Sequence, residues 1–204
     1  MRVLIACERS GRVREAFREL GHDAWSADLE PAEDGGQHLQ GDVLAHLGDG
    51  WDLMIAHPPC TYLSRAGARW WKDMTRHEKA LEAAAFVLKL WNAPIERVAI
   101  ENPIGKLNQF WRHPDQTINP WQFGDPYSKA TCLWLKNLPP LMDTLVCAEF
   151  EPWVACNRSA RKRAGLPILG KTSGGIDSAR TFPGIAKAMA EQWSVPVFAE
   201  EVAA

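Results

Sequence analysis

The sequence predicts an α/β protein: a mostly parallel sheet with helices on both faces. Two observations predict it. Short apolar, strand-like runs alternate with helix-spaced segments through the first half of the chain. Polar, chemistry-bearing residues (Glu8, Asp28, Asp42, His57 to Cys60 and Glu101-Asn102) follow those runs directly. In a sheet of this class ligands bind at the carboxyl ends of the strands, so these tips should gather along one edge. With 204 residues, 46% of them hydrophobic, the chain suffices for one domain with a sizeable core and is short for two.

In chain order, residues 3–6 form a short apolar run with β-branched members, a first strand. Gly11 opens a helical pattern with Val13, Ala16, Phe17 and Leu20 on one face and charges opposite, and Gly21 ends it. Residues 23–27 read as a second strand ending at Asp28. The stretch 29–40 is rich in Gly, Pro and acid and reads as a loop; 41–43 is a short strand or its end. Residues 51–56 are another apolar run, closed by His57-Pro58-Pro59. The clearest helix covers 75–91: Thr75 is placed to cap it, Glu78 follows as in a capping box, and Ala80, Ala84, Val87, Leu88 and Trp91 keep helical spacing up to the stop at Pro94. A strand over 97–100 is closed by Glu101-Asn102-Pro103. Residues 117–123 and 131–135 read as two more strands, 139–178 show no clear period, and 182–193 form a last helix with Ile185, Ala188, Met189 and Gln192 along one side.

Composition excludes several classes. No stretch approaches the roughly 20 apolar residues of a membrane helix, and the first apolar run is too short for a signal-peptide core. The expectation is a soluble cytoplasmic protein with no membrane partner. The five cysteines (Cys7, Cys60, Cys132, Cys147, Cys156) contain no CxxC pair and no zinc spacing, so no metal is expected. The net charge of −2 gives no global support to nucleic-acid binding, so such support must be local. Most of the ten tryptophans are expected to pack; the Trp70-Trp71 pair beside basic residues stands apart.

Two segments carry chemistry. In Ala56-His57-Pro58-Pro59-Cys60 two prolines fix φ and remove backbone donors, giving a stiff turn that holds the next side chain in place. A cysteine there can be a nucleophile if its thiolate is favoured; the plain alternative is a packed cysteine in a strand-ending turn. Glu101-Asn102-Pro103 supplies an acid at the end of another strand, and its plain alternative is a turn. The pair is more informative than either member, because a nucleophile and an acid at two strand ends can face one substrate.

A Pro-Cys turn followed some forty residues later by Glu101-Asn102 resembles the cytosine-C5 DNA methyltransferase family. The His57-Pro58-Pro59-Cys60-Thr61 variant is most similar to its small phage- or prophage-type members, as are residues 123–129 (Phe-Gly-Asp-Pro-Tyr-Ser-Lys) and 180–186 (Arg-Thr-Phe-Pro-Gly-Ile-Ala). The resemblance covers roughly residues 2–136 and 179–193. It implies a Rossmann-like S-adenosylmethionine-dependent methyltransferase fold, with 1–204 as one domain, 137–178 as a very small target-recognition segment and 179–193 as a helix returning to the cofactor side. It implies a cytoplasmic enzyme of a bacterial or phage-infected cell, with Cys60 as nucleophile and Glu101-Asn102 as the acid motif that binds cytosine. For S-adenosylmethionine it implies Ala6, Cys7, Glu8, Ser10 and Gly11 at the first turn, Asp28 with Leu29 at the ribose, Asp42 with Val43 at the adenine, and His57 and Pro58 beside the cofactor. The target base must leave the duplex, so a cationic, aromatic surface is expected. Its candidates are Arg65, Arg69, Trp70 and Lys129, and the acid-free stretch with Arg158, Arg161, Lys162, Arg163 and Lys171.

The chain departs from the family pattern in places. The first turn has one glycine, Thr61 stands where a Gln often follows the cysteine, and no paired-arginine motif is evident, with Ser128 and Lys129 as stand-ins. Recognition should be short, or shared with a partner protein or a second copy in a dimer. Three other readings remain open: an amino-methyltransferase acting at N4 of cytosine or N6 of adenine, whose Pro-Pro turn is partly matched; the C5 reaction on a free nucleotide or an RNA; and a non-catalytic DNA-binding protein.

Overall fold

The computed structural model describes residues 1–65, 73–153 and 180–194. Its centre is a seven-stranded sheet in the order β3-β2-β1-β4-β5-β8-β6. The strands are β1 (Arg2–Ala6), β2 (Asp23–Asp28), β3 (His38–Gln40), β4 (Leu53–Ala56), β5 (Arg97–Pro103), β6 (Gln116–Ile118) and β8 (Thr131–Lys136). Neighbours from β3 to β5 are parallel; β8 runs antiparallel to β5, and β6 antiparallel to β8. A two-stranded parallel pair joins β7 (Tyr127–Ser128) to β9 (Glu151–Pro152).

Strand β1 lies in the middle because Val3, Leu4, Ile5 and Ala6 are all buried, and only a strand covered on both faces hides consecutive apolar residues. Alternation then divides the core. Val3, Ile5, Leu53, Ile55 and Ala99 face helices α1 (Arg12–Glu19) and α4 (Pro183–Trp193), with Val13, Phe17, Ile185, Met189 and Trp193. Leu4, Ala6, Met54, Ala56, Val98 and Ile100 face α2 (Met74–Trp91) and the single turn α3 (Leu107–Phe110), with Ala84, Val87, Leu90 and Leu107. Helices on both faces, as the sequence predicts, are thus fixed by a period of two in the strands and near four in the helices.

Several local expectations change. The strand read as 97–100 and closed by Glu101-Asn102-Pro103 runs on to Pro103, because those three residues pair with β8. Residues 41–43, read as a short strand or its end, lie past β3, and Asp42 caps a 3-10 turn over Val43–His46. Residues 38–40, read as loop, form edge strand β3, because parallel pairing of Leu39 with Ala27 overrides the Gly- and acid-rich sequence before it. Helix α2 is capped by Asp73, whose carboxylate accepts from the Arg76 backbone N–H at 3.0 Å, so Thr75 lies inside the first turn. The run 117–123 is strand only to Ile118: Pro120 cannot donate to a ladder and opens a 3-10 turn instead. Arg14, on the charged side of α1 by sequence, is fully buried. Its guanidinium donates to Ser26 Oγ at 2.8 Å and pairs with Glu15 and Asp34, pinning the loop between β2 and β3 against the sheet.

Candidate functional site

Chain order reverses between β1 and β4: from β1 the chain builds outward through β2 and β3, and β4 starts the other wing with β5. The carboxyl ends at such a reversal leave a crevice. Here two sites adjoin along it, one at the ends of β1, β2 and β3, the other at the ends of β4 and β5.

The first is a cavity of about 290 Å³ lined by Cys7, Asp28, Leu29, Gly41, Asp42, Val43, Pro59 and Phe86. That volume is near the lower end of the ~300–1,000 Å³ usual for small-molecule sites. Backbone donors orient both acids: Asp28 Oδ1 accepts from the Glu30 N–H at 3.0 Å, and Asp42 Oδ1 from the Leu44 N–H at 3.0 Å. One oxygen of each is thereby oriented at the cavity wall. Burial pushes the Asp28 carboxyl up, against the pull of His38, Arg9 and a backbone N–H. Burial and then the charges of Asp28 and Asp42 push the Cys7 thiol up to about 12, so it stays protonated and is no nucleophile. Cys7 also has φ 58°, a left-handed turn that redirects the chain at the cavity floor. A pocket with two oriented carboxylates, apolar Val43 and aromatic Phe86 suits a nucleoside: hydroxyl and amino donors for the acids, a planar base for the rest.

Five of the predicted cofactor residues, Cys7, Asp28, Leu29, Asp42 and Val43, therefore line one cavity. Others are engaged differently. Glu8 is buried with its carboxylate on the backbone N–H groups of Val13, at 2.9 Å, and Arg14, at 3.3 Å, where it closes the start of α1 together with Ser10. Gly11 takes the left-handed conformation that begins this helix, beside Asp34 and Arg14. Ala6 is core and binds His57 through its carbonyl, which accepts the His57 backbone N–H at 2.9 Å. The sequence reading missed Gly41, Pro59 and Phe86. Phe86 lies on α2, far from the strand tips, and only packing brings it to the cavity.

The second site is the turn after β4. Ala56 pairs in register with Ile100, so His57, the first residue past β4, lies beside Glu101, which is still within β5 and pairs with Leu133 of β8. His57 Nδ1 and Glu101 Oε2 are 2.9 Å apart, with the side chains only 9% and 19% exposed. Burial raises the Glu101 carboxyl, but the hydrogen bond and charge of His57, helped by Lys129, outweigh it and hold the group below its ordinary value. His57 thus faces the acid, while Pro59 is the part of its turn that reaches the cavity. Asn102 is buried and donates Nδ2–H to the Pro58 carbonyl at 2.8 Å, tying β5 to the cysteine turn. Cys60 is half-buried, and its carbonyl accepts from the N–H groups of Leu63, at 3.0 Å, and Ser64, at 2.8 Å. The loop after Cys60 is locked to the loop after β5: Lys106 N–H donates to Leu63 at 2.8 Å and Arg65 N–H to Ile104 at 3.0 Å. Gly105 makes this approach possible, since any Cβ there would run into the Leu63 carbonyl.

Arg65 is exposed beside this lock, and Lys129 is half-buried with its ammonium 5.8 Å from the Phe182 ring. Arg69, Trp70, Arg158, Arg161, Lys162 and Arg163 lie outside the described residues. Two cations the sequence reading missed, Arg76 and Lys79, sit 5.1 and 5.5 Å over the ring of Tyr62, two residues past the cysteine. Their positions on the open start of α2 read in sequence only as a solvated face. Residues 123–129 and 180–186 meet as well: Gly184 N–H donates to Asp125 Oδ2 at 2.8 Å, and a side chain at 184 would strike the Phe123 carbonyl. Among the described residues no three His, Cys, Asp or Glu side chains are grouped to hold a metal, and no helix is long and apolar enough to cross a membrane.

No protein-family model and no curated protein matches the chain. Solved structures do. The methyltransferase EhMeth of Entamoeba histolytica is 15% identical, with a TM-score of 0.50 over 74% of this chain and 57% of that one. The S. pombe Dnmt2 methyltransferase is 16% identical, with a TM-score of 0.46 over 84% and 56%. A candidate DNA modification methyltransferase encoded within an E. coli prophage is 15% identical, with a TM-score of 0.47 over 72% and 52%. The chain spans a little over half the length of these structures. What the likeness to EhMeth carries, together with the sheet order, is the fold: a Rossmann-like α/β sheet of the methyltransferase kind.

Proposed function

We propose that this protein transfers a methyl group from S-adenosylmethionine to C5 of a cytosine in DNA, with Cys60 as the nucleophile. The observation that carries the reading is the adjacency of the two sites: Pro59 lines the nucleoside-shaped cavity, and the next residue is the cysteine. Asp28 and Asp42 would hold the ribose hydroxyls and the adenine amine, with Phe86 against the base. Bound there, S-adenosylmethionine supplies an electrophilic methyl group.

Cytosine C5 is too weak a nucleophile to take that methyl unaided. The Cys60 thiolate adds to C6, the C5–C6 π electrons move towards C5, and C5 becomes enamine-like. Glu101, at the edge bearing N3 and the exocyclic amine, stabilises the charge that develops there. C5 then takes the methyl, loses its proton to a base, and the returning electron pair restores the double bond and expels the thiolate. The base must be turned out of its stack to reach Cys60. Arg65, Lys129, Arg76 and Lys79, with the basic stretch around Arg161, are the phosphate contacts this needs. The reading places the protein in the cytoplasm, as a single domain whose residues 137–178 recognise the target alone or with a partner.

The test is trapping. The protein is incubated with S-adenosylmethionine and DNA carrying 5-fluorocytosine, where fluorine cannot leave as the proton does. A denaturant-resistant complex in wild type, absent in Cys60→Ala while cofactor affinity stays within a few fold, is the expected result. No adduct with cofactor binding intact would replace the reading by amino-group methylation or a free nucleotide; no cofactor binding at all would leave a non-catalytic DNA-binding protein.

A further inference from the structure

We propose that Gly105 is a positioning residue for the nucleophile: it lets the loop after β5 close on the loop after Cys60 through main chain alone, and so fixes Cys60 against Glu101. The inference rests on the cytosine reading above for what Cys60 does and goes beyond it in naming what holds Cys60 in place.

Both ends of the cysteine turn are held by one stretch of chain. Before Cys60, the Pro58 carbonyl accepts from Asn102 Nδ2 at 2.8 Å. After it, the Cys60 carbonyl takes the N–H groups of Leu63, at 3.0 Å, and Ser64, at 2.8 Å, which closes a tight turn. That turn runs on antiparallel to residues 104–106. Ser64 bridges to Gly105, the Lys106 N–H donates to the Leu63 carbonyl at 2.8 Å, and the Arg65 N–H donates to the Ile104 carbonyl at 3.0 Å. Leu63 and Leu107, both buried in the core on the α2 face, back the two loops.

Gly105 is the point at which the loops touch. A Cβ there would strike the Leu63 carbonyl and lie 3.1 Å from Ser64 Cα. Both obstacles are main chain, which no change of rotamer moves aside, so a side chain at 105 must push residues 63–65 away from 104–106. The displacement passes to Cys60, whose carbonyl is bonded to Leu63 and Ser64. Glu101 stays in the sheet through its pairing with Leu133 of β8. The nucleophile therefore moves and the acid does not. A misplacement of about 1 Å in such an alignment is enough to cost roughly 10²-fold in rate.

The experiment compares wild type, Gly105→Ala and Gly48→Ala, in which the added Cβ stands in open space. The first readout is alkylation of individual cysteines by iodoacetamide, resolved by peptide mass spectrometry, with no cofactor or DNA added. In Gly105→Ala, Cys60 should react several-fold faster while Cys7, on the neighbouring cavity, keeps its wild-type rate. Gly48→Ala should match wild type at both. The second readout is adduct formation with S-adenosylmethionine on 5-fluorocytosine DNA. Gly105→Ala should lower the maximal rate roughly 10–100-fold, with the half-saturating DNA concentration and the cofactor affinity unchanged. The third is hydrogen exchange in wild type, where the Arg65 and Lys106 amides should exchange far more slowly than those of an unbonded loop. Wild-type Cys60 reactivity or a full adduct rate in Gly105→Ala would overturn the inference. So would Cys60 and Cys7 rising together, which would make Gly105 a support of the whole fold. Freely exchanging Arg65 and Lys106 amides would overturn it even where Gly105→Ala does not fold. A wild type that forms no adduct would overturn the cytosine reading, and the alkylation and exchange results would still decide whether Gly105 positions Cys60.

Discussion

The two sites at the sheet edge treat their acids in opposite ways. On the cavity side Asp28 and Cys7 are pushed up by burial, and the pull of His38 and Arg9 on Asp28 does not reverse it. Across β4, Glu101 is also buried, yet His57 and Lys129 hold it down. For Asp28 burial outweighs the donors around it; for Glu101 the protein's donors outweigh burial. On the proposed reading Asp28 gains from hydroxyl donors brought by a bound molecule, whereas Glu101 is already oriented by His57.

Neutralising each acid in turn should give the largest effects. Glu101→Gln should slow single-turnover methylation by about 10²–10⁴-fold, the usual worth of a positioned acid, with cofactor affinity unchanged by isothermal titration. Asp28→Asn should do the reverse, weakening the cofactor by roughly 10–100-fold, as expected for a charged hydrogen bond, with little change in the chemical step at saturation. The same variant should unfold at a slightly higher temperature at neutral pH without ligand, because a carboxylate whose folded value is raised costs stability above that value. An Asp28→Asn protein that is destabilised and binds normally would place the acid in the framework.

Acid titration separates the two sites further. Glu101 is depressed in the folded state, so its contribution to stability is present above the ordinary glutamate value and lost as pH falls through the lower folded one. Asp28 runs the other way: its carboxyl protonates first on acidification, and cofactor binding should weaken at a higher pH than an unperturbed aspartate would give. Binding measured between pH 7 and 4 that stays flat to the ordinary aspartate range would remove this distinction. The smallest effect lies outside both sites. Asp73→Ala, which removes the α2 cap, should cost about 1 kcal/mol and lower the thermal midpoint by roughly 2–4 °C, leaving both ligands unaffected.

Much of the cavity side was legible in the sequence, and less of the other. Strands β1, β2, β4 and β5 announce themselves as apolar runs, and Asp28, Asp42 and Cys7 follow them directly, so position along the chain already implied a shared edge. Phe86 could not be read this way, since a half-buried aromatic on a helix looks like any core residue until α2 is docked. The pairing of His57 with Glu101 needed one further fact, the register of Ala56 against Ile100. Had the β4–β5 alignment been assumed from their closing turns, the pair would have followed. Arg14 was illegible for a different reason: helical periodicity sorts charge to the outside, and only the partners Ser26, Glu15 and Asp34 make its burial tolerable.

The two faces of the sheet also differ in when they can be finished during synthesis. The face under α2 draws its buried residues from between Leu4 and Trp134, whereas the opposite face needs Ile185, Met189 and Trp193 of α4 to cover Val13 and Phe17. At about 5–20 residues per second, the ribosome adds the chain between Trp134 and Trp193 in roughly 3–12 s. Through that interval one side of the mixed sheet is covered by α1 alone. A nascent chain stalled in this window is a target for chaperones and proteases, and a product truncated before α4 has nothing to cover α1 and should aggregate.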